Sequence, residues 1–560
     1  MRRAGRGAEA AGTPHPKAWR MGACLGTTLV LYATPHPRRT PMTEFLARFF
    51  SLVTATLSGF DRLVFRGHLQ PLHYQGGMLA FLNRCGVRLL DFKPFVTGVS
   101  NALRQASLAA AQRDHRPIVY LESSATSKED LARRLLAEHP IEQGLICVLQ
   151  AVEPCMSFEY HRSPDPAQRG LRLRPRKCLH IYQYYLHPVF GFMNARIQTW
   201  FPFNVQLCLN GREWLAQKLT GQGSTFNRVD NCFTWLSEPQ LAQRLMDDQL
   251  RTDWPTALGE VARWLNPLHE LIFWRSPMDY YWSAYQTEWA TDLLCKSPQA
   301  LASLYPKLVR HAMLHFKSPD VMRFLAPKAH GNYTGNIESS FKDRAEGVRV
   351  KHWQRGNSVK MYDKAGSVLR IETTIAKTTD FKVLRPVHDD DHDDKLAWRP
   401  LRKGVADLHR RAEVSQRSND AYLEALAVVD DSTSCSELFD TVSRPVTDAN
   451  QRRVRALRLG DPADIALLQA ISRGEHATSG FRNRDLRNLL FPSAANTDPA
   501  QLRRQSARIS RLLRILRAHR IIHKIPKTHR YRLSSCGQLL VTALFATRSA
   551  SIKQLLANAA

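Results

Sequence analysis

The carboxylates of Glu288, Asp292 and Glu372 are the groups in this 560-residue sequence whose types and spacing could do chemistry. Glu288 and Asp292 stand four apart in a stretch of helical period, a spacing that sends both from one helix face. Joined by Glu372, or by Asp363, they would hold a hard divalent cation, Mg or Mn, for phosphodiester cleavage. The plain alternative is that Glu288 and Asp292 are solvated surface acids and that Glu372 pairs with Arg370 or a neighbouring lysine. The run HDDDHDD (388–394) also has a metal-like composition, but between Pro386 and Pro400 it reads as a solvated linker.

A different chemistry is written near the C-terminus. Arg504, Arg508 and Arg511, spaced four and three apart, share a helix face, with Arg503 and Arg514 beside them. Leu502, Ile509, Leu512, Leu513 and Leu516 make the opposite, core-packed stripe. Guanidinium groups on such a face can bond guanine edges bidentately or grip phosphates. Lys524, Lys527, His529 and Arg530 follow in a short hairpin and suit backbone or minor-groove contact.

Elements of definite type must position these groups. The start signal Ser276-Pro277-Met278-Asp279, followed by Met278, Trp282, Tyr285, Trp289 and Leu293 at helical spacing, predicts a helix beneath Glu288 and Asp292. The strands EGVRVKHW, NSVKMYD and SVLRIETTI predict a meander with a tight turn at Lys364-Ala365-Gly366. Its alternation puts Val359, Met361, Leu369 and Ile371 on one face and Lys360, Tyr362, Arg370 and Glu372 on the other. Upstream, 43–57 reads as a helix leading into the strand FDRLVFRGHL, and 178–211 as another meander. Tyr182, Tyr184, Tyr185, Phe190, Phe192, Trp200, Phe201 and Phe203, interleaved with Arg196, form either a base-stacking platform or a sheet packed on helices, with packing favoured. In the C-terminal part Asp461-Pro462 and Asp498-Pro499 start helices, Arg484 to Leu490 forms a short one, two strands surround 526–529, and Gly537 begins a last helix.

The segment RISRLLRILRAHRIIHKIPKTHRYRLSSCG resembles the recognition helix and wing of MarR-type winged-helix regulators. The resemblance covers about a hundred residues and implies a DNA-binding domain. VKMYDKAGSVLRIETTI is similar to a strand pair of replication initiators of filamentous phages and rolling-circle plasmids, over Lys360, Tyr362, Asp363, Lys364, Arg370 and Glu372. Those enzymes cleave with a tyrosine, which implies catalytic roles for Tyr362 and Glu372. Their His-hydrophobic-His metal motif is absent from this sequence. Residues 42–545 are also similar to a family of uncharacterised bacterial proteins that occur in many copies, a habit that suggests a mobile element.

Composition bounds these readings. The net charge of +29 implies a polyanionic partner, and it is unevenly placed. Residues 451–560 hold 21 Lys and Arg against 5 Asp and Glu, a net of +16; residues 1–41 carry +6, leaving +7 for the middle. Ten cysteines sit singly, without a CxxC pair or the Cys/His spacing of a zinc site, which predicts buried, reduced thiols in a cytoplasmic protein. There is no apolar run of transmembrane length, and no P-loop, GxGxxG fingerprint or serine-hydrolase elbow. The apolar run 21–33 has a long leader and no small-residue cleavage site, so 1–41 reads as disordered or as an upstream extension rather than a signal peptide.

The expected protein is α+β: a mixed helical and β-meander body followed by a C-terminal winged helix-turn-helix domain. Its parts run 42–240, 241–385, an acidic linker and helical connector over 386–450, and the winged helix over 451–560. The expected function is DNA binding in service of a mobile element, with a body that is a metal-dependent nuclease or replication initiator. A non-enzymatic transcriptional regulator, whose body is a sensor or dimerisation module, is the alternative. Double-stranded DNA is the expected partner, with single-stranded DNA, RNA and a homodimer left open and no membrane partner.

Overall fold

Strand-forming segments on both sides of residue 240 build a single sheet. The computed structural model describes residues 43–551 apart from 124, 166–168, 317, 326–336, 345–346, 388–394, 428, 430–434, 449–450, 474–475, 477–479, 492–498 and 526–527. The expectations for 1–41, the 388–394 linker and Lys527 lie outside these residues. In chain order the strands of the body are β1 (Val53–His68), β2 (Ile118–Leu121), β3 (Gly144–His161), β4 (Gly170–His187), β5 (Gly191–Gln198), β6 (Val205–Asn210), β7 (Phe226–Val229) and β8 (Cys232–Leu236). They continue with β9 (Tyr281–Cys295), β10 (Glu338–Arg344), β11 (Gly347–Gln354), β12 (Asn357–Lys364) and β13 (Val368–Ile375). Apart from the β7–β8 hairpin these strands share one sheet, ordered β10-β11-β12-β13-β9-β1-β6-β5-β4-β3-β2. Its pairings are antiparallel except that of β2 with β3.

Both expected meanders are present, as β4–β5–β6 and β11–β12–β13. The turn after β12 places Ala365 and Gly366 at positive φ, 52° and 68°, within a three-residue loop between the paired Lys364 and Val368. Two expected helices are corrected. The helix at 43–57 stops at Phe49, and Val53-Thr54-Ala55-Thr56, three of them β-branched, enters β1 instead. The helix expected over 278–293 is the central strand β9, held by β1 on one side and β13 on the other. From Trp289 to Cys295 this strand is buried without a break, so the period-2 signal of a half-buried strand is missing. What remains is aromatic spacing, which a helix template fits equally well.

One face of the sheet centre is covered by the helix Leu408–Leu426. Its Asn419 side chain donates to the carbonyls of Trp289 and Ile371, both at 3.1 Å, and Gln416 accepts from the Trp289 indole at 2.7 Å. The helices Gly211–Gly221 and Pro239–Asp248 pack on the first half of β1. The latter comes so close that a Cβ on Gly59 would stand 2.0 Å from the Met246 methyl.

The C-terminal residues have a core of their own, built from Leu467, Leu468, Leu486, Ile509, Leu513, Leu516, Leu540 and Val541 among others. The helices are Pro462–Ile471, Asn483–Leu490, Pro499–Ala518 and Ser535–Ser549, with the hairpin Ile522–Lys524 and Tyr531–Leu533 before the last. Asp461 caps the first, accepting from the Ala463 amide at 2.8 Å. The chain is thus α+β. Among the described residues no helix is long and apolar enough to cross a membrane.

Candidate functional site

A bulge in β1 creates the most unusual cluster in the body. Phe60 faces Trp289 and Leu63 faces Thr287, so Asp61 and Arg62 together stand opposite Glu288. Strict alternation would send two consecutive residues to opposite faces. The extra residue instead lets Phe60 and Leu63 both enter the apolar core, while Asp61 and Arg62 join the polar face.

On that face Asp61, Glu288 and Glu372 each bring a carboxylate oxygen within 4.8 Å of the others, from the three adjacent strands β1, β9 and β13. Next to Glu372 in register is Lys360 of β12, whose ammonium bonds Glu372 and lies 3.6 Å from Glu288. The hydroxyl of Tyr362 donates to the other oxygen of Glu372. Lys360, Tyr362, Arg370 and Glu372 do share one face, as their alternation predicts.

Asp292 belongs to the inner end of the network. Arg370 donates to its two oxygens at 2.5 and 2.8 Å, and Arg212 adds a contact at 3.1 Å. All three side chains are wholly buried, and Asp292 is saturated by guanidinium groups, which sets it apart from the Asp61–Glu288–Glu372 cluster. Asp61 stands with Glu288 and Glu372 instead. It is oriented by Asn231 at 2.9 and 2.7 Å, by Asn210 at 3.2 Å and by Arg370 at 3.1 Å. Residues that sequence reasoning missed are therefore Asp61, Arg212 and Asn231. The available signal was Asp61-Arg62 itself, two charges in succession within an apolar strand.

Crowding sets the proton affinities. Burial and the Glu372 carboxylate push Glu288 up to about 7 against the pull of Lys360. Burial also acts on Glu372, yet Lys360 and the Tyr362 hydroxyl outweigh it and hold that group down at about 2. Burial raises Asp61, opposed by Arg370. Glu288 is thus poised to release a proton near neutral pH, the property expected of a carboxylate that a cation can deprotonate.

This yields a stability test. An acid raised from 4.5 to about 7 in the folded chain costs nothing below 4.5. The cost grows as pH rises toward 7 and is constant above it. Glu288→Gln is therefore expected to stabilise the protein at pH 8 by on the order of 1–3 kcal/mol and to give no gain at pH 4.5. Thermal melts at the two pH values check this, and an equal shift at both would refute it.

Cations and aromatics extend along the same face. The Arg66 guanidinium sits 3.3 Å from the centre of the Tyr285 ring, and Lys403 lies 5.8 Å from it. Lys351, opposite Lys360 in register, lies 5.3 Å from the Trp353 ring. By contrast, Tyr182, Tyr184, Tyr185, Phe190, Phe192, Phe201 and Phe203 are buried, and Arg196 pairs with Glu153 at 2.9 Å. That meander is a packed sheet rather than a stacking platform.

In the C-terminal region Arg503, Arg504, Arg508, Arg511 and Arg514 are all exposed on the helix Pro499–Ala518, away from Ile509, Leu513 and Leu516. Asn483 donates to the Ser506 carbonyl at 2.8 Å and to the Ser510 hydroxyl at 2.9 Å, fixing the preceding helix against this one. Lys524 and His529 are exposed. Arg530 is half-buried, donating to the Gly480 carbonyl at 2.8 Å and lying 5.5 Å from the Trp398 ring. In comparisons with known proteins, no family model, no curated protein and no solved structure matches this chain.

Proposed function

We propose that this is a DNA-binding nuclease of the replication-initiator kind, serving a mobile element, in which Asp61, Glu288 and Glu372 hold Mg or Mn. The observation that carries the reading is the convergence of three carboxylates, Lys360 and Tyr362 at the outer end of a fixed ion network. Glu288 and Lys360 keep about 15% of their side-chain surface exposed, whereas Asp292, Arg212 and Arg370 have none. The inner end fixes geometry, and the outer end can meet a ligand. The Lys360 ammonium marks where positive charge is stabilised among the carboxylates. A bound divalent ion would polarise a phosphodiester there. The Tyr362 hydroxyl would pass its proton to the carboxylates and bond to phosphorus as the phosphorus–oxygen bond to the leaving sugar breaks. The departing oxygen would take a proton from Lys360, leaving a phosphotyrosine and a free sugar hydroxyl.

The DNA-binding half of the proposal rests on the C-terminal region. Support comes from its order of three helices, a hairpin and a last helix, with a single antiparallel bridge from Phe481 to Tyr531 of the hairpin. That is the layout of a winged helix whose third helix, Pro499–Ala518, reads the major groove of duplex DNA. The body's basic and aromatic face suits single-stranded DNA.

Full-length protein incubated with supercoiled plasmid and manganese is expected to nick it. Asp61→Asn and Glu372→Gln should each slow cleavage by about 10²-fold or more. Tyr362→Phe should abolish the covalent protein–DNA adduct on denaturing gels. A second reading, a regulator or homodimerisation module without catalysis, is favoured by the neutralisation of the carboxylates by Lys360 and Arg370. Wild-type protein that never cuts would select it.

A further inference from the structure

Two of the cysteines, Cys155 and Cys178, meet on the sheet. In the β3–β4 pair Glu153 faces Cys178, Cys155 faces Arg176 and Ala151 faces His180. Cys155 and Cys178 are therefore diagonal neighbours on one face, and His180, two residues on, shares that face. The two sulfurs are 3.0 Å apart, and sulfurs and imidazole together offer three ligand atoms within 4.8 Å of one another. His180 is buried, and its Nδ1 lies 3.2 Å from the Cys178 carbonyl. An Nδ1–H donated to that carbonyl leaves the lone pair on Nε2, the arrangement that orients a metal-binding imidazole. Both thiols are half-exposed, and Cys155 and His180 stand at the wall of a pocket of about 210 Å³, which Arg66, His68, Arg196 and Asn204 also line.

We infer that Cys155, Cys178 and His180 form a zinc site with three protein ligands and a fourth position open to this pocket. Two thiolates and an imidazole are the donor set of a borderline-soft, tetrahedral ion, and they are the wrong set for Mg or Mn. A site closed by three side chains leaves one coordination position for water or an anion, and Arg66 and Arg196 give that position a positive setting. Only Cys178 and His180 are close in sequence, and cross-strand register supplies the third ligand, Cys155. The two cysteines are 23 residues apart, on strands joined around 162–169. This site is separate from the carboxylate cluster in donor type and does not depend on the nuclease reading.

Full-length protein purified with reductant and without chelator is expected to carry one equivalent of zinc by elemental analysis. Cys155→Ser and Cys178→Ser should each lower the zinc content at least tenfold, while Glu288→Gln should leave it unchanged. Cobalt(II) exchanged into wild type should give near-ultraviolet thiolate-to-cobalt absorption, absent from both serine variants. The half-exposed position of both thiols lets either serine variant keep its fold, checked by an unchanged circular dichroism melt of the metal-free protein. Wild type that takes up neither zinc nor cobalt would overturn the assignment. So would metal retained in both serine variants.

Discussion

Arg370→Ala is expected to destabilise the body by about 3–5 kcal/mol, the usual cost of leaving a buried charge without its partner. Arg370 is wholly buried and satisfies both oxygens of Asp292 and one of Asp61, while also donating to the Asn231 carbonyl at 2.9 Å. Its removal leaves Asp61 with amide donors only and Asp292 with Arg212 alone. Arg370→Lys should recover little of the loss, because an ammonium cannot reproduce the planar fork that reaches two carboxylates and a carbonyl. Urea titration followed by tryptophan fluorescence reads the body selectively, since none of the 11 tryptophans lies beyond residue 398. A midpoint within error of wild type would show that the network does not hold the sheet centre together.

Simultaneous replacement of Arg504, Arg508 and Arg511 by alanine is expected to remove most of the affinity for duplex DNA. Removing a guanidinium that grips a phosphate should reduce the slope of log K against log salt by about 0.9. Removing one that reads a base edge should cost about 1–3 kcal/mol. The three side chains are exposed, so their truncation spares the core stripe of Ile509, Leu513 and Leu516. Arg508 also lies 5.6 Å from the Phe491 ring, so Arg504→Ala and Arg511→Ala are the cleaner single variants. Fluorescence anisotropy across a salt series measures both quantities. A folded triple variant with unchanged affinity and slope would move the binding surface to the hairpin or to the body.

The parts legible in the sequence were those whose signals are local. Pro462 and Pro499 begin helices where Asp-Pro start signals stand, because a cap acts on the backbone within a turn of itself. The faces of β12 were legible because Val359 and Met361 are buried while Lys360 and Tyr362 are not fully so. Glu372 of the candidate site came from that alternation. Asp61 did not, because its direction is set by a register shift against a strand more than two hundred residues away. Glu288 was chosen by helical spacing and lies on the right face for another reason, since positions four apart also share one face of a strand. Asp292 shares that face and differs only in having two arginines over it. The zinc trio carried only the weak local signal of Cys178 and His180 two apart on one strand, because strand pairing is what brings Cys155 to them.

The place of β1 at the centre of the sheet has a consequence for how the protein is made. Among the described residues it is the first strand in chain order, yet its partners are β6 and β9, whose last residues are Asn210 and Cys295. Throughout that interval one long edge of β1 has no complement within the nascent chain, and pairings of such sequence separation form slowly. The nascent body is thus exposed to strand capture by other chains or by chaperones until β9 emerges. A chain released before Cys295 should remain protease-sensitive over β1, and a pulse-chase with staged truncations should show protection arriving in one step once β9 is outside the exit tunnel.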